Sequence, residues 1–308
     1  MKVYLNNLNE NWVVDRFRND WIAKNPSLYS EKVENCEIIW LISPWTWKNT
    51  SKRHLKQKKV LCSIYHLDFE KKSTSEEKEF YKRDKFVDSY HVISQHTYKD
   101  LRKLTDKPIK YLPYWIDDNI FFYINDKDKI RKKFNIKKED FLIGSFQRDS
   151  EGKNPKLPKL IKGPDIFFEI VNDIFLSKKN LRVILSGKRR DYLIGRLEEE
   201  NIPYNYFESI SIQEINELYN ILDMYIVSSR LEGGPQAILE SAMTKTPIIS
   251  TDVGIASEIL SKDSIFDDSK YYKNVAPNVD YAFEKVQKYK IDNMITQYNE
   301  MLVNLYEN

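Results

Sequence analysis

The stretch DMYIVSSRLEGGPQAILESAMTKTPIISTDVGIASEIL, residues 223–260, decides how the rest of the chain is read. A short β-branched and aromatic run ends at Ser228-Ser229, the chain turns through Gly233-Gly234, and a helix starts near Pro235, a residue suited to the first helical position. A second apolar run, TPIIST, follows the helix. Strand, glycine turn, helix and strand in that order predict a βαβ unit in a parallel sheet. A helix N-terminus preceded by glycines offers free backbone N–H groups and a positive dipole end, which together suit an anion such as a diphosphate. Glu232 lies in the loop before that helix, and Glu240 lies within it. One carboxylate can face a ligand from the loop while the other projects from the helix, where ribose hydroxyls are natural partners. Taken alone, the same residues also fit a plain βα turn with a capping glutamate and a solvated helix glutamate.

Working outward, short apolar runs alternate with charged stretches of helical period. KVYL (2–5), EIIWLIS (37–43), KVLCSIYHL (59–67), YHVIS (90–94) and IKYLPY (109–114) read as buried strands, and 11–24, 48–57, 75–88 and 95–104 as helices. A polar, charged segment over 115–140 precedes a second series, FLIGSF, LRVILSG, YNYF, DMYIVSS and TPIIST. The expectation is two α/β domains, 1–120 and 121–284, with a C-terminal helix of about 285–308 packing back on the first. Parallel sheets hold ligands at the carboxyl ends of their strands, so two such domains are expected to face a cleft.

Composition narrows the function. The 308 residues include 31% charged and 41% apolar ones, a globular balance that excludes disorder. Residues 1–160 hold 33 Lys and Arg against 23 Asp and Glu, a balance of +10, and the remainder is −7. This asymmetry fits an anionic ligand, acceptor or peripheral membrane surface better than nucleic acid. None of the eight glycines precedes Gly144, so the N-terminal half has no dinucleotide fingerprint or P-loop. Cys36 and Cys62 both sit in apolar runs and read as buried hydrophobes of a reducing compartment. No run approaches the roughly 18 apolar residues that span a bilayer. A cytoplasmic protein, at most peripheral to a membrane, is expected.

The segment E-G-G-P-Q-A-I-L-E (232–240), with its flanking strands and TDVG, resembles the signature of family 4 retaining glycosyltransferases of the GT-B fold. That resemblance implies an α/β architecture of two Rossmann-like parallel-sheet domains facing a cleft, with a nucleoside diphosphate sugar as donor. It implies that Glu232 and the loop of Gly233, Gly234, Pro235, Gln236 and Ala237 hold sugar and diphosphate, and that Glu240 binds ribose. FLIGSFQR (141–148) is similar to the family strand that ends in a cation for the donor diphosphate, here Arg148, and KGPD (162–165) to its K-G-x-D element, which makes Lys162 the second cation. The thirteen residues between them exceed the usual loop, so Lys153, Lys156 or Lys159 remains an alternative to Lys162. Gly187 and Ser209, at the ends of LRVILSG and YNYF, are further donor-side positions.

In the first domain the resemblance places His66 against the donor sugar, with Asp68 two residues on. Where the family has a Gly-Gly loop after its first strand, this chain has NNLNEN (6–11), which offers Asn7 instead. Trp45 and Trp47, beside the acid-free run Lys48, Lys52, Arg53, Lys56, Lys58 and Lys59, suggest an acceptor surface of stacking rings. His54, His91 and His96 lack spacing partners and read as structural. Asp126-Lys127-Asp128 imitates an Asp-x-Asp metal motif but precedes a Lys-rich helix, so it reads as a helix N-terminus, and no metal or cofactor is expected. The expected activity is metal-independent transfer of a hexose from GDP-mannose or a UDP-hexose to a hydroxyl of a glycan or glycoconjugate. A GT-B epimerase or hydrolase, or a non-catalytic nucleotide-sugar binder, is the alternative.

Overall fold

The computed structural model describes residues 1–308 apart from 8–12, 68–73 and 153, and the side chains of 74–76, 269 and 271 are likewise outside the description. Asp68, Lys153 and most of the loop after the first strand therefore lie outside the described residues. The chain forms two compact units, Met1–Trp115 with Ile291–Asn308, and Ile116–Lys290. The divisions fall a few residues from 120/121 and 284/285. Ile116 donates its N–H to the Tyr289 carbonyl at 2.9 Å, so both crossing segments are held within the second unit.

The first unit contains β1 (Val3–Leu5), α1 (Val13–Lys24), β2 (Ile38–Leu41), α2 (Lys52–Gln57), β3 (Lys59–Ile64), α3 (Thr74–Asp84), β4 (Ser89–Val92), α4 (Gln95–Arg102) and β5 (Ile109–Tyr111). The five strands are parallel in the order β1-β2-β3-β4-β5. Alternation along each strand sorts the side chains between two layers. Ile39, Leu41, Val60, Cys62, Ile64, Tyr90 and Val92 join one core with Leu55, Phe80 and Leu101 from the helices α2, α3 and α4. The intervening Trp40, Ser63 and His91 point to the opposite face. There the Trp40 indole donates to Ser63 Oγ at 2.9 Å, and Ser63 Oγ is 2.8 Å from His91 Nδ1.

Both cysteines are buried and unpaired, and burial pushes the Cys62 thiol up to about 11. The expected helix 48–57 is instead a 3₁₀ segment, Pro44–Asn49, followed by α2, because Ser51 caps α2 by accepting from the His54 N–H.

The second unit contains α5 (Lys127–Lys133), β6 (Phe141–Ser145), α6 (Pro164–Ser177), β7 (Leu181–Ser186), α7 (Asp191–Glu199), β8 (Tyr204–Phe207), α8 (Ile212–Ile221), β9 (Met224–Val227), α9 (Gln236–Met243), β10 (Ile248–Thr251), α10 (Ala256–Ile259), β11 (Ile265–Phe266) and α11 (Val279–Val286). Its six strands are parallel in the order β11-β10-β9-β6-β7-β8. The strand sequence reverses between β6 and β9, and ligands of open α/β sheets bind outside the carboxyl ends at such a reversal. The two-residue edge strand β11 is too short to show as a run in the sequence. Its partner β10 is buried throughout, as a strand covered on both faces requires.

After α11 the chain returns to the first unit as α12 (Ile291–Glu307). Tyr298 on α12 is fully buried, stacked on Trp40 at 5.6 Å and on Tyr114 at 5.9 Å, and its hydroxyl lies 3.0 Å from His91 Nε2. This helix thus closes the open face of the five-stranded sheet. Among the described residues no helix is long and apolar enough to cross a membrane.

Candidate functional site

The reversal between β6 and β9 gathers most of the predicted donor residues. Gln147 and Arg148 follow β6, and Ser228 to Pro235 follow β9. A third segment, Leu160–Gly163, is tied to the second by the N–H groups of Arg230 and Leu231, which donate to the Ile161 carbonyl at 2.9 and 3.1 Å. Ser228 Oγ donates to the Gly163 carbonyl at 2.7 Å. Gly163 is left-handed at φ +58°, and a Cβ there would stand 1.8 Å from the Ser228 carbonyl oxygen. Glycine is thus needed for both conformation and space. Arg230 adds a two-pronged ion pair to Asp165 at 2.7 and 2.8 Å. Burial works to raise the Asp165 carboxyl, but the Arg230 hydrogen bonds outweigh it and hold it below the usual carboxylate range.

This lacing brings Lys162 and Glu232 together across 70 residues of sequence, as an ion pair between Nζ and Oε1. Both side chains are largely shielded, at 19% and 12% exposure, so their attraction is little screened. Ser229 Oγ lies within donating distance of the same carboxylate oxygen at 3.1 Å. The Gln147 amide donates to the Lys162 carbonyl at 3.0 Å. Sequence reasoning missed Gln147, Ser229 and Arg230, whose roles depend on which loops meet. Of the alternative lysines, Lys156 is exposed, Lys159 is half-buried and donates its backbone N–H to the Asp149 carbonyl at 2.7 Å, and Lys153 lies outside the described residues.

The helix α9 begins directly after Pro235, with Gln236 and Ala237 half-buried in its first turn. Among the described residues Gln236 Oε1 is buried without a hydrogen-bond partner, an acceptor at the same end as the first N–H groups of the helix. Gly254, left-handed at φ +55°, lets the loop after β10 lie against the Gly233 carbonyl, 2.6 Å from where a Cβ would be. Glu240 is 7% exposed and its Oε2 accepts from the fully buried Tyr219 hydroxyl at 2.9 Å. The solvated-glutamate reading of this residue is therefore replaced by a buried, hydrogen-bonded one. Gly187, at φ +85°, ends β7, one strand from β6. Ser209 is exposed and follows the edge strand β8, which stands three strands from β9.

Behind the β6 loop, Arg190 and Asp149 form a fully buried ion pair at 3.0 Å, and Arg190 also donates to Ser145 Oγ at 3.0 Å. Burial raises the Asp149 carboxyl and Arg190 works against that rise. The pair anchors the base of the loop that carries Arg148.

In the first unit, Asn7, Trp45 and His66 all follow carboxyl ends of adjacent strands, β1, β2 and β3, and all are exposed. Trp47 is not with them. It is 8% exposed, stacked on Phe86 at 6.0 Å, and belongs to the core, so the expected pair of stacking rings reduces to Trp45. The physical reason is the 3₁₀ turn, which puts residues two apart on different sides. The basic run is also less free than its sequence suggests, since Lys48 pairs with Glu79 at 2.7 Å and Lys58 Nζ donates to the Glu34 and Cys36 carbonyls.

His91 is fully buried, and desolvation pushes its imidazole down to about 4. Asp126 caps α5 by accepting from the Lys129 N–H at 3.0 Å, and Asp128 pairs with Lys138 at 2.6 Å. Among the described residues no three His, Cys, Asp or Glu side chains converge as a metal site.

Residues 126–300 match the family model described as glycosyl transferases group 1, more than half of the chain. An O-antigen biosynthesis glycosyltransferase, WclY of Escherichia coli, is 28% identical over 172 residues, 54% of this chain and 44% of that protein, so the match spans less than half of the relative's length. Among solved structures, Anabaena HepE in complex with UDP superposes with a TM-score of 0.77 at 13% identity, covering 99% of this chain and all of that one. Sucrose-phosphate synthase from Thermosynechococcus elongatus gives a TM-score of 0.71 at 13% identity, covering 98% of this chain and 81% of that one. With two parallel-sheet α/β units, this likeness and the family match, the chain belongs to the group 1 glycosyl transferases and has their GT-B fold.

Proposed function

We propose that this protein is a retaining glycosyltransferase that moves a hexose from a nucleoside diphosphate to a hydroxyl of a glycan or glycoconjugate, with a UDP-hexose as the first candidate donor and GDP-mannose as the second. The observation that carries the reading is the Lys162–Glu232 pair, held at the glycine loop before α9 on the strand-order reversal. A cation, a carboxylate and a helix N-terminus within one loop cluster match a donor with a diphosphate at one end and sugar hydroxyls at the other. The solved complexes of HepE with UDP, and with UDP and glucose, support uridine as the base.

In this reading Arg148, Lys162 and the first N–H groups of α9 meet the diphosphate. The bond from the anomeric carbon to the β-phosphate oxygen breaks, and the acceptor oxygen bonds to that carbon on the same face. The acceptor proton passes to the departing phosphate oxygen. Negative charge grows on the leaving diphosphate, so fixed cations and dipoles there lower the barrier without a divalent metal being invoked. Glu232 holds sugar hydroxyls, Gln236 Oε1 accepts from another, and Glu240 accepts from the ribose. His66 is assigned to the donor sugar, and Trp45 and Asn7 to the acceptor.

The test is a donor panel of UDP-glucose, UDP-galactose, UDP-N-acetylglucosamine and GDP-mannose, with and without oligosaccharide acceptors. Nucleoside diphosphate release that depends on acceptor, with a product anomer matching the donor by NMR, is the expected result. Release at the same rate without acceptor establishes a hydrolase, and an inverted anomer overturns retention.

A further inference from the structure

We propose that Tyr219 is a positioning residue for nucleotide recognition: its phenol fixes the Glu240 carboxylate so that the remaining oxygen meets the donor ribose. This rests on the assignment of Glu240 to the ribose made above. Tyr219 lies on α8, is fully buried, and donates to Glu240 Oε2 at 2.9 Å. A Glu side chain has three rotatable bonds, and one oxygen held by a rigid donor narrows the range of positions open to the other. The phenol itself has little freedom. Its ring meets Phe146 edge-on at 4.8 Å and Phe121 at 6.2 Å, and lies 5.2 Å from Tyr225.

Two further features give the contact a functional direction. Tyr225 Oη accepts from the Phe146 N–H at 3.0 Å, and Phe146 lies two residues before Arg148. The same aromatic group therefore braces both the loop of the diphosphate cation and the ribose carboxylate. The backbones around Tyr219 and Glu240 are fixed separately, because Thr246 Oγ1 donates to the Tyr219 carbonyl and Thr244 Oγ1 to the Glu240 carbonyl, each at 2.8 Å. Loss of the phenol hydroxyl alone leaves those ties and the ring packing in place. Burial, and then the charge of Glu240, keep the Tyr219 phenol far above its ordinary pKa, so it remains a proton donor at all working pH values.

The experiment measures calorimetric affinity for UDP or GDP, whichever the intact chain binds, and for the 2′,3′-dideoxy form of the same nucleotide. The wild type is expected to prefer the ribonucleotide by more than about tenfold, the scale of one charge-assisted hydrogen bond. Tyr219→Phe should cut that ratio by about five- to tenfold through weaker ribonucleotide binding, leave the dideoxy affinity unchanged, and raise donor KM with little change in kcat. Glu240→Asp, one methylene shorter, cannot satisfy both phenol and ribose and should lower the ratio likewise.

In a Glu240→Gln background, Tyr219→Phe should change the ratio no further. A Tyr219→Phe protein with the wild-type ratio, or with equal loss for both nucleotides, overturns the inference. If Glu240→Gln itself leaves the ratio intact, the ribose assignment falls and this inference with it. If Glu240→Gln lowers the ratio while Tyr219→Phe and Glu240→Asp do not, the inference alone falls.

Discussion

Gly163→Ala offers the most direct perturbation of the loop cluster. The new methyl group would sit 1.8 Å from the Ser228 carbonyl oxygen, a backbone atom that cannot rotate away, so the two segments must part by roughly 1.5 Å. The hydrogen bonds across that seam include these three: Arg230 and Leu231 N–H to the Ile161 carbonyl, and Ser228 Oγ to the Gly163 carbonyl. Each is worth about 1 kcal/mol net, and a left-handed alanine adds about 1 kcal/mol of strain. The second unit should lose about 4 kcal/mol of stability if all three break, and about 2 if the loop shifts as a body.

Lys162 is next to the substitution, so its pairing with Glu232 should be lost and affinity for the nucleoside diphosphate should fall at least about tenfold. Denaturant unfolding and calorimetric titration read the two effects. Gly195→Ala is the control, since nothing lies within 4 Å of a Cβ there and the residue is inside α7. It should stabilise by up to about 1 kcal/mol and leave binding unchanged. A Gly163→Ala protein with wild-type stability and affinity would refute the close approach and the loop coupling drawn from it.

Glu240→Ala should weaken binding of free nucleoside diphosphate by about 1.5 to 3 kcal/mol, whereas Glu232→Ala should reduce turnover more than it reduces that binding. Equal loss of nucleotide binding in both contradicts the division of roles. Activity should persist in EDTA, and Asp126→Ala and Asp128→Ala should leave it nearly unchanged; loss restored by Mn²⁺ or Mg²⁺ rejects the cation assignment.

His91 stays neutral in the folded protein down to about pH 4, while an unfolded histidine titrates near 6.5. The unfolded chain therefore binds the extra proton in that window, so stability is full above about pH 6.5 and falls by about 3 kcal/mol as the pH approaches 4. Unfolding curves of His91→Gln should show a shallower decline, and an identical decline removes His91 as its source. Trp47→Ala should cost about 3 to 5 kcal/mol of stability, while Trp45→Ala should keep the fold and raise acceptor KM. A folding cost at Trp45 like that at Trp47 contradicts their different exposures.

Much of the architecture is legible along the chain. Parallel strands covered on both faces must be continuous apolar runs, and their backbone sterics and burial are local properties, so β2, β3, β6, β7, β9 and β10 stand where such runs occur. The Gly-Gly-Pro turn before α9 is equally local, because it follows from what those residues permit at a helix start.

What only the tertiary structure decided is which local pieces meet. Lys162 reaches Glu232, and Tyr219 reaches Glu240, because strand order places β6 beside β9 and packs α8 on α9; hydrophobic pattern specifies that strands are buried but not which are neighbours. Trp45 and Trp47 have one residue type and nearly one sequence context, yet a 3₁₀ turn exposes the first and buries the second. Trp40, Ser63 and His91 needed a cover, and it comes from Tyr298, 207 residues after His91 and stacked on Trp40, because a sheet face of this kind is stable only with its aromatic surface removed from water, wherever in the chain the covering residue lies.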